Sequence, residues 1–378
     1  MAKEIPPEKK LSSPVKIALI IPSLQAGGME RVMTELMHHY SNKELLEIHL
    51  ILYGIKRDIF YKIPENVIVH KPSFTFNNRY RFYYTLKTLL YLRGIIRRLQ
   101  PNSILSFGEL WNNFVLLALY GTNFLVYVSD RCQPDKKLAG FHEKLRKWLY
   151  PRAAGVIVQT ERAKEIYKKK LYHNNIKVIP NPIRPLDTKD TPERENIVLS
   201  VGRLISTKHH DELIGLFVEL NRSNWTLIIV GGDALKQSNS EKLKALIKEL
   251  GVEDRIILAG SVKDVTSYYR RSKIFAFTSS SEGFPNVIGE ALAAGLPVVA
   301  FDCIAGPSDM VIDGDNGHLI ELFDYKAFSR ALAKLMDDEG YRKKLASNAK
   351  ESIKKYNSHV IAEEYYRLII GKLENTPN

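Results

Sequence analysis

The chain holds 378 residues, 45% of them hydrophobic and 26% charged; that composition excludes a disordered chain, and the length exceeds one ordinary core, since single cores stop growing near ~250 residues. Its formal net charge is +13; residues 1 to 180 hold 29 Lys and Arg against 14 Asp and Glu, hence +15, and the remainder 26 against 28, hence −2. A basic first half attracts an anionic partner: nucleic acid, an acidic membrane or a phosphorylated acceptor.

The opening MAKEIPPEKKLSSP lacks the apolar core of a signal peptide, and no window approaches the ~18 apolar residues of a spanning helix. Residues 1–14 are therefore read as a flexible extension and the protein as cytoplasmic. From residue 15 to 182, short β-branched runs alternate with helical stretches, the pattern of a parallel sheet with crossover helices. The predicted strands are 15–21, 48–53, 67–70, 103–107, 124–129, 155–159 and 177–180. Helices predicted at 79–100 and 139–150 carry much of the excess positive charge. Residues 183–196, rich in proline and charge, read as a linker. The alternation restarts over 197–355, with strands at 197–202, 226–231, 255–260, 273–278, 296–301 and 317–320. The fold class is thus α/β, with two Rossmann-like domains expected to face one another across a cleft. An amphipathic helical tail follows, and its last segment, 356–378, is expected to cross back to the first domain. The two cysteines, Cys132 and Cys303, are far apart, lack the spacing of a zinc site and read as reduced thiols.

Several short segments carry chemistry. After the first strand, PSLQAGGMER presents Gly27 and Gly28 before a helix, where backbone N–H groups and the positive helix end can meet a phosphate. A tight strand-to-helix turn explains the pair as well, and without a full G-x-G-x-x-G no dinucleotide site is read there. In the second domain, VGRLISTKHH sets Arg203 and Lys208 just past a strand end. Two cations there can grip a diphosphate and offset the charge on a departing nucleoside diphosphate, although solvated surface cations have the same appearance. The run KIFAFTSSSEGFPNVIGEALAAG carries Glu282 on a loop and Glu290 on the following helix. Carboxylates accept from vicinal hydroxyls, so a sugar and a ribose are natural partners. Between them Gly283, Phe284, Pro285, Asn286 and Val287 lead into a helix N-terminus suited to phosphate.

With Glu, seven residues and Glu inside EGFPNVIGE, GRLxxxK upstream and GGMER near the start, the chain resembles glycosyltransferase family 4 of the GT-B fold from about Val15 to the C-terminal helix. The resemblance implies that Glu282 holds donor-sugar hydroxyls and Glu290 the ribose. It further implies that Arg203 and Lys208 bind the diphosphate, that Gly28 approaches it from the opposite domain, and that amides near Phe284, Asn286 and Val287 complete the cradle. Members retain anomeric configuration and generally need no metal or other cofactor; the donor is a substrate, by resemblance a UDP-sugar.

The strand end FLVYVSDRCQPD departs from similar enzymes that build lipid-linked oligosaccharides, where the loop often reads Ser-Glu-His. Asp130 is the candidate contact for the acceptor hydroxyl, counted with the catalytic set of Glu282, Arg203 and Lys208. Arg131 is placed near the phosphates and Glu109 is the second acceptor candidate; a salt-bridged loop pair explains these residues equally. The loop DCIAGPSDM, Asp302 to Met310, resembles members that transfer hexoses or N-acetylhexosamines onto polyprenyl-diphosphate-linked glycans, though Gly306, Pro307 and Ser308 make a good turn without any ligand.

Basic and aromatic residues interleave in the 79–100 helix and in FHEKLRKWLYPR, a pattern suited to docking on an anionic bilayer. For the 79–100 helix a plain amphipathic core helix is the alternative. Lys136, Lys137, Lys144, Arg146 and Lys147 are read as membrane or acceptor-phosphate contacts. Nucleic acid is not expected, since no nucleic-acid motif accompanies the charge.

The residues together with the resemblance therefore imply a retaining glycosyltransferase that passes a hexose or N-acetylhexosamine from a UDP-sugar to a hydroxyl of a glycan acceptor, a polyprenyl-diphosphate-linked glycan being one candidate, in bacterial surface polysaccharide or glycoprotein glycan assembly. Its expected place is the inner face of the plasma membrane. Alternatives are another GT-B enzyme, such as a sugar-nucleotide epimerase or phosphorylase, and a non-catalytic carbohydrate-binding or membrane-docking protein.

Overall fold

The computed structural model describes residues 13–25, 27–55, 59–171, 173–183, 193–234 and 237–371. Most of the predicted linker and extension lies outside them. The chain forms two compact units, residues 1–182 with 358–378, and residues 183–357.

The first unit is built on a seven-stranded, wholly parallel sheet. Its strands are β1 (Val15–Ile21), β2 (Leu46–Leu52), β3 (Val67–His70), β4 (Ser103–Phe107), β5 (Val126–Ser129), β6 (Gly155–Val158) and β7 (Ile176–Val178), in the order β3-β2-β1-β4-β5-β6-β7. A strand buried on both faces reads as a continuous apolar run, and β1 does so with alternating partners. Ile17, Leu19 and Ile21 pack with Val32, Leu36 and Tyr40 of the helix Gly28–Tyr40, whereas Ala18 and Ile20 face Leu92, Ile96 and Val115 on the other side.

The C-terminal helix Ser358–Ile370 belongs to this unit, with Ile361, Tyr365 and Ile369 in the β1 core. A buried carboxylate fastens it: Glu363 meets Lys43 at 2.9 Å and His39 at 3.2 Å. Those partners hold Glu363 at about 2, below the usual carboxylate range, hydrogen bonding from His39 being the main cause. A depressed acid stabilises the fold above its unfolded pKa and loses that contribution on acidification. We expect Glu363→Gln to cost roughly 2–3 kcal/mol at neutral pH and to flatten the stability decline from about pH 4.5 towards 2; denaturant titrations across that range measure both. An unchanged acid slope would remove this role.

The second unit repeats the plan with six strands, β8 (Ile197–Val201), β9 (Thr226–Val230), β10 (Ile256–Gly260), β11 (Ile274–Phe277), β12 (Val298–Asp302) and β13 (Gly317–Glu321), ordered β10-β9-β8-β11-β12-β13 and again wholly parallel. Strand order reverses between β8 and β11. In open α/β sheets ligands bind beyond the carboxyl ends of the strands at such a reversal. In the first unit the reversal falls between β1 and β4. No helix among the described residues is long and apolar enough to cross a membrane.

Candidate functional site

The two strands flanking the reversal in the second unit carry the segments singled out from the sequence. Past β8, Gly202 leaves room for the stem of Lys208, whose Cε would lie 3.2 Å from a Cβ added there. Residues Ser206–Lys208 make one 3-10 turn, His209 adopts a left-handed conformation, and the helix His210–Glu219 begins. Past β11 the chain runs through Thr278 and the serines to Glu282, then enters the helix Asn286–Ala293.

Hydrogen bonds join these segments: Ser280 N–H donates to Thr207 O at 2.8 Å and Thr278 Oγ1 to Lys208 O at 2.7 Å. Lys208 Nζ therefore sits 2.5 Å from Glu282 Oε1, each side chain 15% exposed, and 5.1 Å above the Phe277 ring centroid. A half-buried, directly paired cation and anion at the mouth of a sheet are poised to exchange partners with a ligand bearing phosphates and hydroxyls. Arg203, just past β8 on the loop that leads to Lys208, is exposed.

Glu290 lies one helical turn into Asn286–Ala293 and accepts from Tyr269 Oη at 3.0 Å. Tyr269 is fully buried and was not foreseen from the sequence, which offers no signal linking positions 21 apart on different helices. Tyr269→Phe keeps the ring and removes this donor. We expect the donor KM to rise about five- to tenfold with kcat nearly unchanged, measured by steady-state kinetics; an unaltered KM would show that Glu290 needs no such support.

The proposed cradle is narrower than expected. Pro285 has no N–H, and Asn286 N–H is spent on Phe284 O at 3.0 Å, so the amide donors of the segment reduce to Gly283, Phe284 and Val287. The Phe284 side chain is buried against Tyr356, ring centroids 5.7 Å apart, which anchors the loop. The turn at Asp302–Met310 packs on that anchor. Gly306 has φ +104°, and a Cβ there would lie 2.2 Å from Pro285 Cδ. Burial and the Glu282 charge push the neighbouring Cys303 thiol up to about 12, so it stays protonated.

The remaining candidates lie in the first unit. Gly27 exchanges hydrogen bonds with Tyr61 Oη, accepting at 3.0 Å and donating at 3.2 Å, and the exposed Gly28 opens the helix. Glu30, in the first helical turn, folds its carboxylate back over Gly27, and burial raises its pKa.

Asp130 requires correction as a direct acceptor contact. Its side chain is buried, with Oδ1 accepting from Tyr150 Oη at 2.6 Å and Asn112 Nδ2 at 2.8 Å, and Oδ2 accepting from Tyr167 Oη. Burial and the nearby Glu109 charge raise its pKa to about 7. Glu109 is also enclosed: its Oε1 accepts from the amides of Arg131 at 2.7 Å and Cys132 at 2.5 Å, fixing the loop after β5. Arg131 is turned inward rather than to phosphate. Its guanidinium stacks 3.9 Å from the Phe107 centroid and donates to Asn181 Oδ1 and to Tyr365 Oη, the latter at 2.7 Å.

Arg146 is a second correction. At 1% exposure it cannot meet a membrane, because Glu143 takes its guanidinium in two bonds of 2.8 and 2.9 Å beneath the helix Phe141–Leu149. Lys136, Lys137, Lys144 and Lys147 are exposed. The helix Arg81–Leu99 has two faces: Leu92, Ile95 and Ile96 enter the core, while Phe82, Tyr83, Leu86 and Leu90 form an exposed stripe.

Known proteins resemble this chain over most of its length. Residues 26–185 match the profile described as Glycosyltransferase Family 4, and residues 186–352 that of Glycosyl transferases group 1. One relative, the N-acetylgalactosamine-N,N'-diacetylbacillosaminyl-diphospho-undecaprenol 4-alpha-N-acetylgalactosaminyltransferase of Campylobacter jejuni subsp. jejuni serotype O:2, is 29% identical, over 94% of this chain and 100% of its own. Among solved structures, sucrose-phosphate synthase from Thermosynechococcus elongatus superposes with a TM-score of 0.81 at 18% identity, covering 96% of this chain and 100% of that one. Anabaena HepE in complex with UDP and glucose gives 0.79, also at 18% identity and with 96% and 100% coverage. At that identity the two structures speak to the GT-B fold. Matched through both units in turn, from residue 26 to residue 352, the chain belongs to the family 4 glycosyltransferases.

Proposed function

We propose that the protein transfers a hexose or N-acetylhexosamine from a UDP-sugar to a hydroxyl of a glycan acceptor carried on a polyprenyl diphosphate, with retention of anomeric configuration, in bacterial surface polysaccharide or glycoprotein glycan assembly. The observation that carries the reading is the Lys208–Glu282 pair at the reversal of the second sheet, with Arg203 on the same loop as Lys208 and the amides of Gly283, Phe284 and Val287 at the entry to Asn286–Ala293. Cations and amide dipoles suit a departing diphosphate; the two carboxylates suit hydroxyls at either end of a nucleotide sugar. The lipid-linked acceptor is supported by the diphospho-undecaprenol-linked acceptor for which the Campylobacter relative is named, and UDP by its presence in the HepE complex.

In this mechanism the acceptor hydroxyl attacks from the face that UDP leaves. Catalysis rests on positioning and on stabilising the leaving group, and the charge of UDP is met by Arg203 and Lys208 without a metal. Docking on the inner, anionic face of the plasma membrane is supported by the exposed apolar stripe of Arg81–Leu99 and the lysines at 136, 137, 144 and 147.

The test is UDP release from UDP-hexoses and UDP-N-acetylhexosamines, with and without polyprenyl-diphosphate glycans, in EDTA, with the product anomer assigned by NMR. Release only with acceptor and a retained anomer are expected. Release without acceptor, or an inverted product, would overturn the reading.

A further inference from the structure

His209 occupies a position where the backbone favours glycine. Its φ is +49° and ψ +44°, the left-handed region that costs residues with a Cβ. Glycine would make the same bend without strain, so the turn itself does not call for an imidazole. The side chain, however, is engaged on two sides. His209 Nε2 lies 2.8 Å from Ser280 Oγ, on the loop that carries Glu282. The Ser280 hydroxyl in turn lies 3.3 Å from Thr207 O. Thr207 O can only accept, so a Ser280 hydroxyl that gives its hydrogen there takes one from the Nε2–H tautomer of His209. On its other side the imidazole meets the edge of Phe323, ring centroids 5.4 Å apart. Phe323 is itself left-handed, with φ +69°. Two strained residues thus converge on one ring, and strain of this kind persists where surrounding structure holds it for a purpose.

The chain of bonds from His209 to Ser280 to Thr207 is a closed latch between the two donor-site segments. Thr207 and His209 flank Lys208; Ser280 stands two residues before Glu282. We propose that His209 is a positioning residue of the donor site, latching the Glu282 loop to the Lys208 turn so that cation and carboxylate are presented to the nucleotide sugar in one fixed arrangement. This rests on the function proposed above and adds to it a residue that touches neither donor nor acceptor. His209 acts through Ser280, and its influence falls on the donor half of the reaction alone.

The test compares the full chain with His209→Gly, Ser280→Ala and the double variant, using UDP as probe in calorimetry, donor and acceptor kinetics, and thermal melting. His209→Gly releases the backbone strain, so its melting temperature should match or exceed that of the parent. UDP affinity should nonetheless fall about tenfold, the donor KM should rise and the acceptor KM should stay unchanged. Ser280→Ala should give the same losses, and the double variant no more than either single one, because all three break one latch. UDP binding and donor KM like the parent's in His209→Gly would overturn the proposal, as would losses that multiply in the double variant. Should the parent bind UDP and Lys208→Ala abolish it while His209→Gly changes nothing, the latch alone fails. If the parent binds no nucleoside diphosphate, the proposed function fails and the latch with it.

Discussion

Lys208→Ala and Glu282→Ala are each expected to lower kcat by about 10²–10³, the range seen when one preorganised electrostatic partner of a leaving group is removed. Their shared geometry is the reason. The pair sits 2.5 Å apart and mostly out of water, where a charge interacts more strongly than it would on the surface. In Lys208→Ala the departing diphosphate loses its closest cation, leaving the exposed Arg203 to act alone. In Glu282→Ala the donor sugar loses its hydroxyl acceptor. The two losses should not add, because each side chain fixes the other and groups acting as a unit are non-additive. Circular dichroism should show a folded chain in both, since hydrogen bonds between Ser280, Thr278 and the backbone of 207–208 remain. Near-parent turnover in either variant would remove that residue's role.

Gly306→Ala should have a comparable effect through packing rather than charge. The added methyl would lie 2.2 Å from Pro285 Cδ and 3.4 Å from Phe284 Cα, at φ +104°. Neither neighbour can yield cheaply, because the proline ring is rigid and Phe284 is packed against Tyr356. Relief must come from moving the 283–287 segment, and with it the amides and the start of Glu290's helix. We expect a destabilisation of about 2–3 kcal/mol together with a roughly hundredfold loss of kcat/KM, since small displacements of positioning groups are that costly. Thermal melting and steady-state kinetics measure the two. The exposed Ser308, two residues on, is the control: Ser308→Ala should match the parent. An active, stable Gly306→Ala would mean the cradle tolerates displacement.

The parts of this architecture that follow from local pattern were legible in the sequence. Runs such as 15–21, 67–70 and 103–107 are strands with those limits; the central β1 announces itself by continuous apolar residues, whereas the edge strand β3, exposed at Ile68, does so by its β-branched run. The Arg203, Lys208, Glu282 and Glu290 positions stood out because strand ends and helix starts are where a parallel sheet exposes chemistry. The inward turn of Asp130, Arg131 and Arg146 did not. Each looks like a loop or surface charge by spacing, and each is captured by residues whose proximity only the assembled sheet creates: Tyr167 from the helix after β6 for Asp130, Tyr365 from the C-terminal helix for Arg131, and Asp130 with Tyr167 for Arg146, beyond its local pairing with Glu143. Tyr269 and His209 were missed for the same reason, and Gly306 was read only as part of a turn. Their roles lie in contacts made across the fold.

The central claim is that Arg203, Lys208 and the amides of Gly283, Phe284 and Val287 clasp a diphosphate while Glu282 and Glu290 hold the sugars at its ends. A crystal structure with UDP and the donor sugar bound tests it most directly. The account predicts phosphate oxygens within hydrogen-bonding distance of Lys208 Nζ, ribose hydroxyls on Glu290 and donor hydroxyls on Glu282. A nucleotide seated elsewhere, with the Lys208–Glu282 pair still closed on itself, would contradict it.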